Sequence, residues 1–309
     1  MIGFGTTFVL IYVNDLPSTI PYTLANGNSP ITLFADDTSV INNDPDLMNF
    51  ERNLNLNFRI VKEWFNSNLL SLNLDKTSYM QFTTKNKNLN NINIEYDNTI
   101  IIQANFVKFL GITVDNTLSW KQHIDTIIPK LNEACFIIRR LKLILTNFAL
   151  KMVYYAFFHL VMSYGLIFWG NSTKSKCVFK LQKQAIRIIM GARNRDSCRE
   201  FFKQLRILPL CAQYIYSLLT FVVNNRKLFL DNAELYTINT RNSHNLHFPL
   251  PHLMKYQKGV HYVGMWLFSH LPTSIKNTAN DTEMFKKVLK KFLMDNSFYH
   301  EEEFINFTE

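Results

Sequence analysis

The spacing of hydrophobic residues changes once along the chain, and this change predicts two kinds of structure. Up to about residue 115, apolar residues occur in short runs that favour β-strands, with one amphipathic helix between them. From Trp120 onward, apolar residues recur at steps of three and four for roughly a hundred positions, which predicts a series of helices. The predicted fold class is therefore α+β, with the strands first and the helices after them.

A β-hairpin is predicted near the start of the chain. Two β-prone runs, 31–34 and 38–41, flank Ala35-Asp36-Asp37, whose residues tolerate a tight turn. This hairpin carries two carboxylates at its tip. An amphipathic helix is predicted after Asp44-Pro45 from six apolar residues at helical spacing, which are Leu47, Phe50, Leu54, Phe58, Val61 and Phe65. Further strands are predicted at 77–83, 92–96, 100–102 and 107–114, with the middle pair joined at Asp97-Asn98.

The second part of the chain is predicted to be helical with an irregular stretch. Helices are expected at 120–143, 147–169, 174–190, 197–206 and 210–226. Gly191 is expected to cap the third of these at its carboxyl end. Residues 227–280 are rich in Asn and His and are expected to be irregular before a final helix over 282–293. We accordingly divide the chain into residues 1–115, 116–228 and 229–309.

Composition excludes several classes of protein. Apolar residues make up 47% and charged residues 18%, and the mean hydropathy of −0.05 is too low for a polytopic membrane protein of 309 residues. The four cysteines, Cys135, Cys177, Cys198 and Cys211, show no C-x-x-C pair, so neither a disulfide framework nor a zinc site is indicated. Residues 1–13 lack the basic start of a signal peptide. A reducing, intracellular location is therefore expected.

The formal charge of +9 is concentrated in the middle of the chain. Residues 1–100 carry 6 Lys or Arg against 10 Asp or Glu, residues 101–228 carry 19 against 5, and residues 229–309 carry 8 against 9. A charge excess that is confined to one region indicates a surface for a polyanion. An even distribution would have indicated only solubility.

The two adjacent carboxylates of the hairpin suggest a metal site. Asp36 and Asp37 repel each other, and a divalent cation or protonation relieves that repulsion. Hard oxygen ligands favour Mg²⁺ or Mn²⁺. A solvated turn is the simpler interpretation of an isolated Asp-Asp pair.

The motifs around this pair change its interpretation. In chain order they are residues 10–17 (LIYVNDLP), 34–37 (FADD), 72–77 (LNLDKT), 108–115 (KFLGITVD), 120–124 (WKQHI), Tyr164-Gly165, 168–170 (FWG) and 181–187 (LQKQAIR). In this order the series resembles the palm and early thumb of reverse transcriptases from non-LTR retrotransposons, most closely the arthropod Jockey-like group. The resemblance implies a partial palm built of a β-hairpin, short antiparallel strands and a helix. It implies an α-helical thumb and a helical C-terminal region after that.

The resemblance also implies roles for individual residues. Asp36 and Asp37 match the family's catalytic pair, of which the first holds the two metal ions and the second supports the site. Phe34 and Lys76 are then expected near the incoming deoxynucleotide triphosphate. The primer-grip turn of the family corresponds to residues 109–111, which are Phe109, Leu110 and Gly111. The implied partners are an RNA template and a DNA primer duplex, and the implied cofactor is Mg²⁺ or Mn²⁺.

Two elements of the family pattern are not found in the sequence. They are the first metal-binding carboxylate, on a strand well upstream of the hairpin, and the Pro-Gln-Gly segment that contacts template and nucleotide. Only 35 residues precede Asp36, and the nearest acid, Asp15, matches a non-catalytic position. Two carboxylates cannot complete two octahedral shells, so metal binding by this chain alone is expected to be weak. The preferred hypothesis is therefore a reverse transcriptase fragment that is inactive by itself.

A nucleic-acid-binding module without enzymatic activity is the alternative, and charge supports it independently. Lys176, Lys180, Lys183 and Arg187 are spaced by four, three and four residues, so on a helix they form one stripe. Such a stripe can follow the phosphates of a duplex, and Arg193 and Arg195 extend it. A solvated helix face is the simpler interpretation. A basic helix on a membrane surface fits the charge but not the ordered motifs, so no membrane partner is expected.

Overall fold

The computed structural model describes residues 13–19, 31–34, 37–44, 46–82, 92, 94–96, 99–232, 246–249 and 253–307. These residues form two compact units, which divide between Asn105 and Phe106. The first unit contains short strands and one long helix, and the second contains one hairpin followed by helices. The predicted α+β composition, with strands before helices, is confirmed.

The first unit contains the predicted β-hairpin and the predicted amphipathic helix. Its elements are α1 (Leu16–Thr19), β1 (Ile31–Phe34), β2 (Asp37–Val40), α2 (Leu47–Ser67), β3 (Ser78–Tyr79), β4 (Glu95–Tyr96), β5 (Thr99–Ile100) and β6 (Ile102–Gln103). β1 pairs with β2 and β4 with β5 in antiparallel register, whereas β3 and β6 are parallel. The expectation of antiparallel strands alone was therefore wrong for this pair. The predicted turn at Asp97-Asn98 lies outside the described residues.

Helix α2 forms because its sequence supplies both a cap and an apolar face. The Asp46 side chain accepts the Met48 backbone N–H at 3.1 Å, which satisfies one of the free donors at the helix start. The apolar side chains of α2 contact two small cores. One core contains Ile92, Ile94 and Ile101, and the other contains Val13, Leu16 and Trp64.

The second unit starts with the hairpin β7 (Phe106–Phe109) and β8 (Ile112–Asp115) and is otherwise helical. Its helices are α3 (Lys121–Leu141), α4 (Asn147–Val153), α5 (Leu160–Ser163), α6 (Leu166–Trp169), α7 (Ser175–Met190), α8 (Arg199–Leu205), α9 (Leu210–Asn224), α10 (Met254–Gln257), α11 (Val260–Ser269), α12 (Thr273–Lys276), α13 (Thr282–Asn296) and α14 (Glu301–Ile305). One π-helical turn, Tyr154–His159, joins α4 to α5, and a 3₁₀ turn, Arg226–Leu228, follows α9.

Several predicted boundaries in this unit were wrong. Residues 107–114 form a hairpin rather than one strand, because Leu110 and Gly111 take positive φ and reverse the chain. The helix predicted over 147–169 is interrupted at Tyr164-Gly165, where Gly165 has φ +60°. Residues 227–280 contain helices α10 to α12 rather than irregular chain alone. Gly191, with φ +69°, ends α7 as predicted.

One hydrophobic core extends from α3 to α14. It contains large side chains that are fully buried, among them Tyr154, Phe158, Trp169, Phe202 and Phe285. Helices α3 and α7 pack against each other, as do α9 and α13. The region after residue 229 therefore shares its core with the helices before it, while the three-part functional division stays a prediction.

Candidate nucleic-acid interface

Both strands of the Asp-Asp hairpin are described, on either side of its turn. Phe34 and Asp37 face each other as the last pair of the β1–β2 ladder, and both are exposed. Asp36 lies outside the described residues. The predicted hairpin is confirmed, with β2 beginning at Asp37 rather than Thr38.

The described residues do not form a metal site by themselves. Within them, no group of three or more His, Cys, Asp or Glu side chains could hold a metal ion. Asp37 contributes one exposed carboxylate, and Asp15 lies apart from it in the chain and accepts the Trp64 indole N–H at 3.4 Å. The predicted Mg²⁺ or Mn²⁺ at Asp36 and Asp37 thus stays a prediction.

Lys76, the predicted nucleotide contact, lies in an exposed turn after α2. Its backbone N–H donates to the carbonyl of Asn73 at 3.2 Å, and Thr77 donates to the same carbonyl. These hydrogen bonds fix the backbone of the turn and leave the lysine side chain in solvent.

The β7–β8 turn is the predicted primer-grip position, and the structure gives it a defined conformation. Leu110 has φ +47° and Gly111 φ +80°, so both central residues of this two-residue turn are left-handed. This geometry matches the right-handed twist of a hairpin and favours glycine at the second position. Phe109 pairs with Ile112 across the ladder and is half-buried. The turn expected at Phe109, Leu110 and Gly111 is confirmed, whereas its contact with a primer is untested.

Tyr164 attaches this turn to the helices, and the sequence did not predict that role. Its hydroxyl donates to the carbonyl of Leu110, and its ring lies where a Cβ on Gly111 would meet it at 3.4 Å. Trp169, fully buried, donates its indole N–H to the Tyr164 carbonyl at 3.0 Å. The break in the helix at Tyr164-Gly165 therefore positions one tyrosine on the turn. The motif Tyr164-Gly165 was the only sequence signal for this contact.

Gly165 is required at this break for two reasons. Its φ of +60° is a conformation that residues with a Cβ adopt at a cost. A Cβ at this position would also lie 2.5 Å from Cδ1 of Ile112, on the hairpin. The helix break and the hairpin are therefore in direct contact.

Asp115 connects the hairpin to helix α3. Its carboxylate accepts backbone N–H groups of Thr117, Ser119 and Trp120 at 3.1, 3.0 and 2.7 Å, and also the Thr117 hydroxyl at 2.6 Å. Burial alone would raise the pKa of Asp115, but these hydrogen bonds outweigh burial and lower it below its ordinary value. The carboxylate is thus ionised and anchors the start of α3.

His123 provides the second link between the same two elements. The backbone N–H of Thr113 in β8 donates to Nδ1 of His123 at 3.3 Å, which requires an unprotonated Nδ1. Burial, and then the positive charge of Lys130, lower the pKa of His123. The motifs at 108–115 and 120–124 are therefore explained as one junction that fixes the hairpin on the helices.

Of the four basic side chains in the stripe on α7, two are exposed and two contact other groups of the protein. Lys176 and Lys180 are exposed and form no ion pair within the described part of the chain. Arg193 and Arg195, in the loop after α7, are exposed as well. Neither arginine forms an ion pair in the described ranges, although the carboxylate of Asp196 in the same loop accepts the Arg193 backbone N–H at 2.8 Å.

Lys183 and Arg187, the other two members of the stripe, contact the protein itself. The Lys183 ammonium lies 4.7 Å from the ring centre of Phe179 and 5.9 Å from that of Tyr299. Arg187 donates through Nε to the backbone carbonyl of Asp196 at 3.0 Å. Both side chains are half-buried, so each of them packs against the protein as well as adding positive charge to the surface.

The opposite face of α7 contains a buried amide. Gln182 donates to the hydroxyl of Tyr154 and to the carbonyl of Leu208, both at 2.9 Å, and accepts the N–H of Leu210 at 2.8 Å. It is fully buried and joins three segments of the helical unit. Gln182 belongs to the motif at 181–187, whose role is therefore partly structural.

No single helix in the described ranges is both long and apolar enough to cross a membrane. The pair formed by α8 and α9 meets those limits of length and composition together, with a bend of 53° between the two helices.

Two curated proteins of Drosophila melanogaster are similar to this chain. A probable RNA-directed DNA polymerase from transposon BS is 26% identical over 192 residues, which cover 60% of this chain. The RNA-directed DNA polymerase from mobile element jockey is 24% identical over 214 residues, or 67% of this chain. The matches cover 21% and 23% of these relatives, so the chain spans about a fifth of their length.

No family model and no solved structure matches the chain. The similarity to both polymerases nevertheless agrees with the family that the ordered motifs predicted. The chain is thus similar to RNA-directed DNA polymerases of mobile elements, including that of jockey.

Proposed function

We propose that this chain provides the palm hairpin and the thumb of an RNA-directed DNA polymerase, and that its helical unit binds the template–primer duplex. The observation that carries this proposal is the exposed positive charge of Lys176, Lys180, Arg193 and Arg195, none of which forms an ion pair within the described residues. Unpaired cations on a helix and on the loop after it suit the regular phosphates of a duplex. Such contacts need no base-specific recognition.

The hairpin–helix junction supports the same proposal. Tyr164, Asp115 and His123 fix the β7–β8 turn on the helical core, so the turn and the basic helix belong to one rigid body. A turn presented in this way fits a contact with the primer strand. Phe109, Leu110 and Gly111 are the residues proposed to make that contact.

We also propose that the 309 residues alone do not extend a primer. Asp36 and Asp37 supply two carboxylates, and the sequence contains no match to the upstream metal-binding strand or to the Pro-Gln-Gly segment. Purified chain with a primed RNA template, deoxynucleotides and Mg²⁺ is expected to give no extended product. Extension that is abolished by Asp36→Ala would contradict this part of the proposal.

Charge reversal on α7 tests duplex binding. The variant Lys176→Glu/Lys180→Glu changes only exposed side chains, so it is expected to fold normally and to bind an RNA–DNA hybrid at least about tenfold more weakly. Fluorescence anisotropy of a labelled hybrid measures the affinity. The control is Lys227→Glu/Lys255→Glu, which makes the same change in charge outside α7. Equal affinities of the two variants would refute the assignment of α7 as the binding surface.

A further inference from the structure

A second group of positive charges lies in the helical unit, away from the α7 stripe in the sequence. It consists of Lys151 on α4, Arg206 immediately after α8 and Lys290 on α13. Arg206 and Lys290 are exposed, and Lys151 is half-buried. No sequence motif marks these residues, because three separate helices supply them.

Tyr155, in the π-helical turn, brings two of these segments together. Its hydroxyl donates to the backbone carbonyl of Arg206 at 3.5 Å. Its ring contacts the imidazole of His159 edge-on, with ring centres 4.9 Å apart. Lys151 and His159 lie four residues before and after Tyr155, and α8 and α13 pack against each other. Lys151 and Arg206 are therefore both close to Tyr155, and the packing of α8 against α13 brings the helix that carries Lys290 next to the helix that ends at Arg206.

The positive charges of Arg206 and Lys290 affect the pKa of nearby side chains. Burial lowers the pKa of Lys151, and the charges of Arg206 and Lys290 lower it further. Lys290 likewise adds to burial in lowering the pKa of His159. The positive charges of Arg206 and Lys290 therefore act on Lys151, as charges near a common ligand would.

No acidic side chain compensates this repulsion. In the described part of the chain, none of Lys151, Arg206 and Lys290 forms an ion pair. On the helices that carry or precede these residues, Glu200 pairs with Lys203 and Glu283 pairs with Lys286, while Asp295 is exposed five residues after Lys290. The buried Nδ1 of His159 also has no hydrogen-bond partner.

Arg206 occupies a position at which arginine is unfavourable for the backbone. It ends α8 in the left-handed conformation, with φ +51°, which glycine or asparagine adopts at lower cost. Its side chain is exposed, and a guanidinium binds phosphate oxygens through paired N–H donors.

We propose that Lys151, Arg206 and Lys290 form a binding site for a phosphate group of a nucleic-acid backbone. This inference rests on the proposed function, since it takes the bound polyanion to be the template–primer. The site would contact the duplex at a phosphate distinct from those that face α7. It extends the interface from one helix to a surface shared by α4, α8 and α13.

The test compares two variants that remove the same charge from the full chain. Arg206→Asn/Lys290→Gln changes two exposed residues of the site, and asparagine suits the left-handed backbone at 206. Lys130→Gln/Lys227→Gln removes two exposed lysines elsewhere and serves as control. Affinity for a labelled RNA–DNA hybrid is measured across a range of salt concentrations, with inorganic phosphate and a deoxynucleotide triphosphate as separate ligands.

Each phosphate contact contributes about 0.9 to the slope of log affinity against log salt, taking the value for B-DNA. Because the site holds one phosphate, the site variant is expected to reduce the slope by about 0.9 and to weaken binding about tenfold near 0.1 M salt. The control is expected to change the slope far less.

Each contrary outcome has a distinct meaning. Equal slopes for the two variants, with weakened binding by Lys176→Glu/Lys180→Glu, would overturn the site and leave the proposed function in place. Absence of hybrid binding by the unaltered chain would overturn both. Loss of triphosphate or inorganic phosphate binding in the site variant, with unchanged hybrid affinity, would overturn the assignment to a nucleic-acid backbone.

Discussion

At the scale of single residues, a few side chains decide how the β7–β8 turn is presented. Tyr164 donates to the Leu110 carbonyl, and Gly165 allows Ile112 to approach the helix break closely. These contacts depend on backbone conformation as much as on side-chain type. Substitutions of glycines distinguish two contributions to the free energy of unfolding, namely the strain of a left-handed backbone and the clash of a new side chain with its neighbours.

Two glycines make that separation possible. Gly165→Ala and Gly191→Ala both place an alanine at positive φ, which costs about 1–2 kcal/mol. Only at 165 does the new Cβ meet another side chain, 2.5 Å from Ile112, whereas at 191 nothing lies within 4 Å. We expect Gly165→Ala to lower the free energy of unfolding by about 1–3 kcal/mol more than Gly191→Ala. Denaturant titration measures both, and equal losses would show that Gly165 has no packing role.

His123 is expected to make stability depend on pH. Its pKa is lowered from 6.5 in the folded protein, so below about pH 6.5 the unfolded chain binds a proton that the folded chain does not. The free energy of unfolding should therefore fall as pH decreases from about 7.5 to about 5.5, the range in which histidine titrates. The pKa of His159 is lowered as well, so this residue also makes the free energy of unfolding fall as pH decreases.

The variant His123→Asn isolates this contribution. Asparagine can accept the Thr113 N–H and does not titrate, so the variant should lose less stability than the unaltered protein over the same pH interval. Unfolding curves at both pH values provide the comparison. An identical pH dependence in the two proteins would exclude His123 as its source.

At the scale of elements, the helix from Asn147 to Ser163 shows why the sequence predicted some features and not others. Leu150, Tyr154, Phe158 and Met162 are all buried and are spaced strictly by four residues. An α-helix turns every 3.6 residues, so a repeat of four drifts around its surface. The π-helical turn at Tyr154–His159 winds more slowly and brings the repeat back to one face.

Local patterns therefore predicted elements better than contacts between them. The hairpin at 31–40, helix α2 and the Gly191 cap follow from neighbouring residues, and they were predicted. The apolar residues of 107–114 favoured one strand, and only the resemblance to a known family indicated the turn at 109–111. The Tyr155–Arg206 contact joins residues 51 positions apart, and no local pattern reports such a contact.

Gln182 provides a test at this scale. Gln182→Leu would leave the Leu210 N–H and the Leu208 carbonyl without their partner in a fully buried site, at a cost of about 2–4 kcal/mol. Gln184→Leu, on the same helix at a half-buried position, is expected to cost about 0.5 kcal/mol or less. Thermal or denaturant unfolding distinguishes them. Similar losses would mean that the buried amide does not join these segments.

At the scale of the whole molecule, charge and order of motifs point to the same function. The helical unit carries most of the positive charge, and its exposed lysines and arginines have few acidic neighbours. The relatives are RNA-directed DNA polymerases of transposons. The helical unit that we propose as the thumb of a polymerase would need a surface that binds phosphates.

The affinity of the unaltered chain for an RNA–DNA hybrid, measured as a function of salt concentration, tests this account most directly. If Lys176, Lys180, Arg193 and Arg195 each neutralise a phosphate, the slope of log affinity against log salt should be about −3.6 or steeper. A slope near zero, or no binding at low salt, would contradict the proposal that the helical unit holds a nucleic-acid duplex.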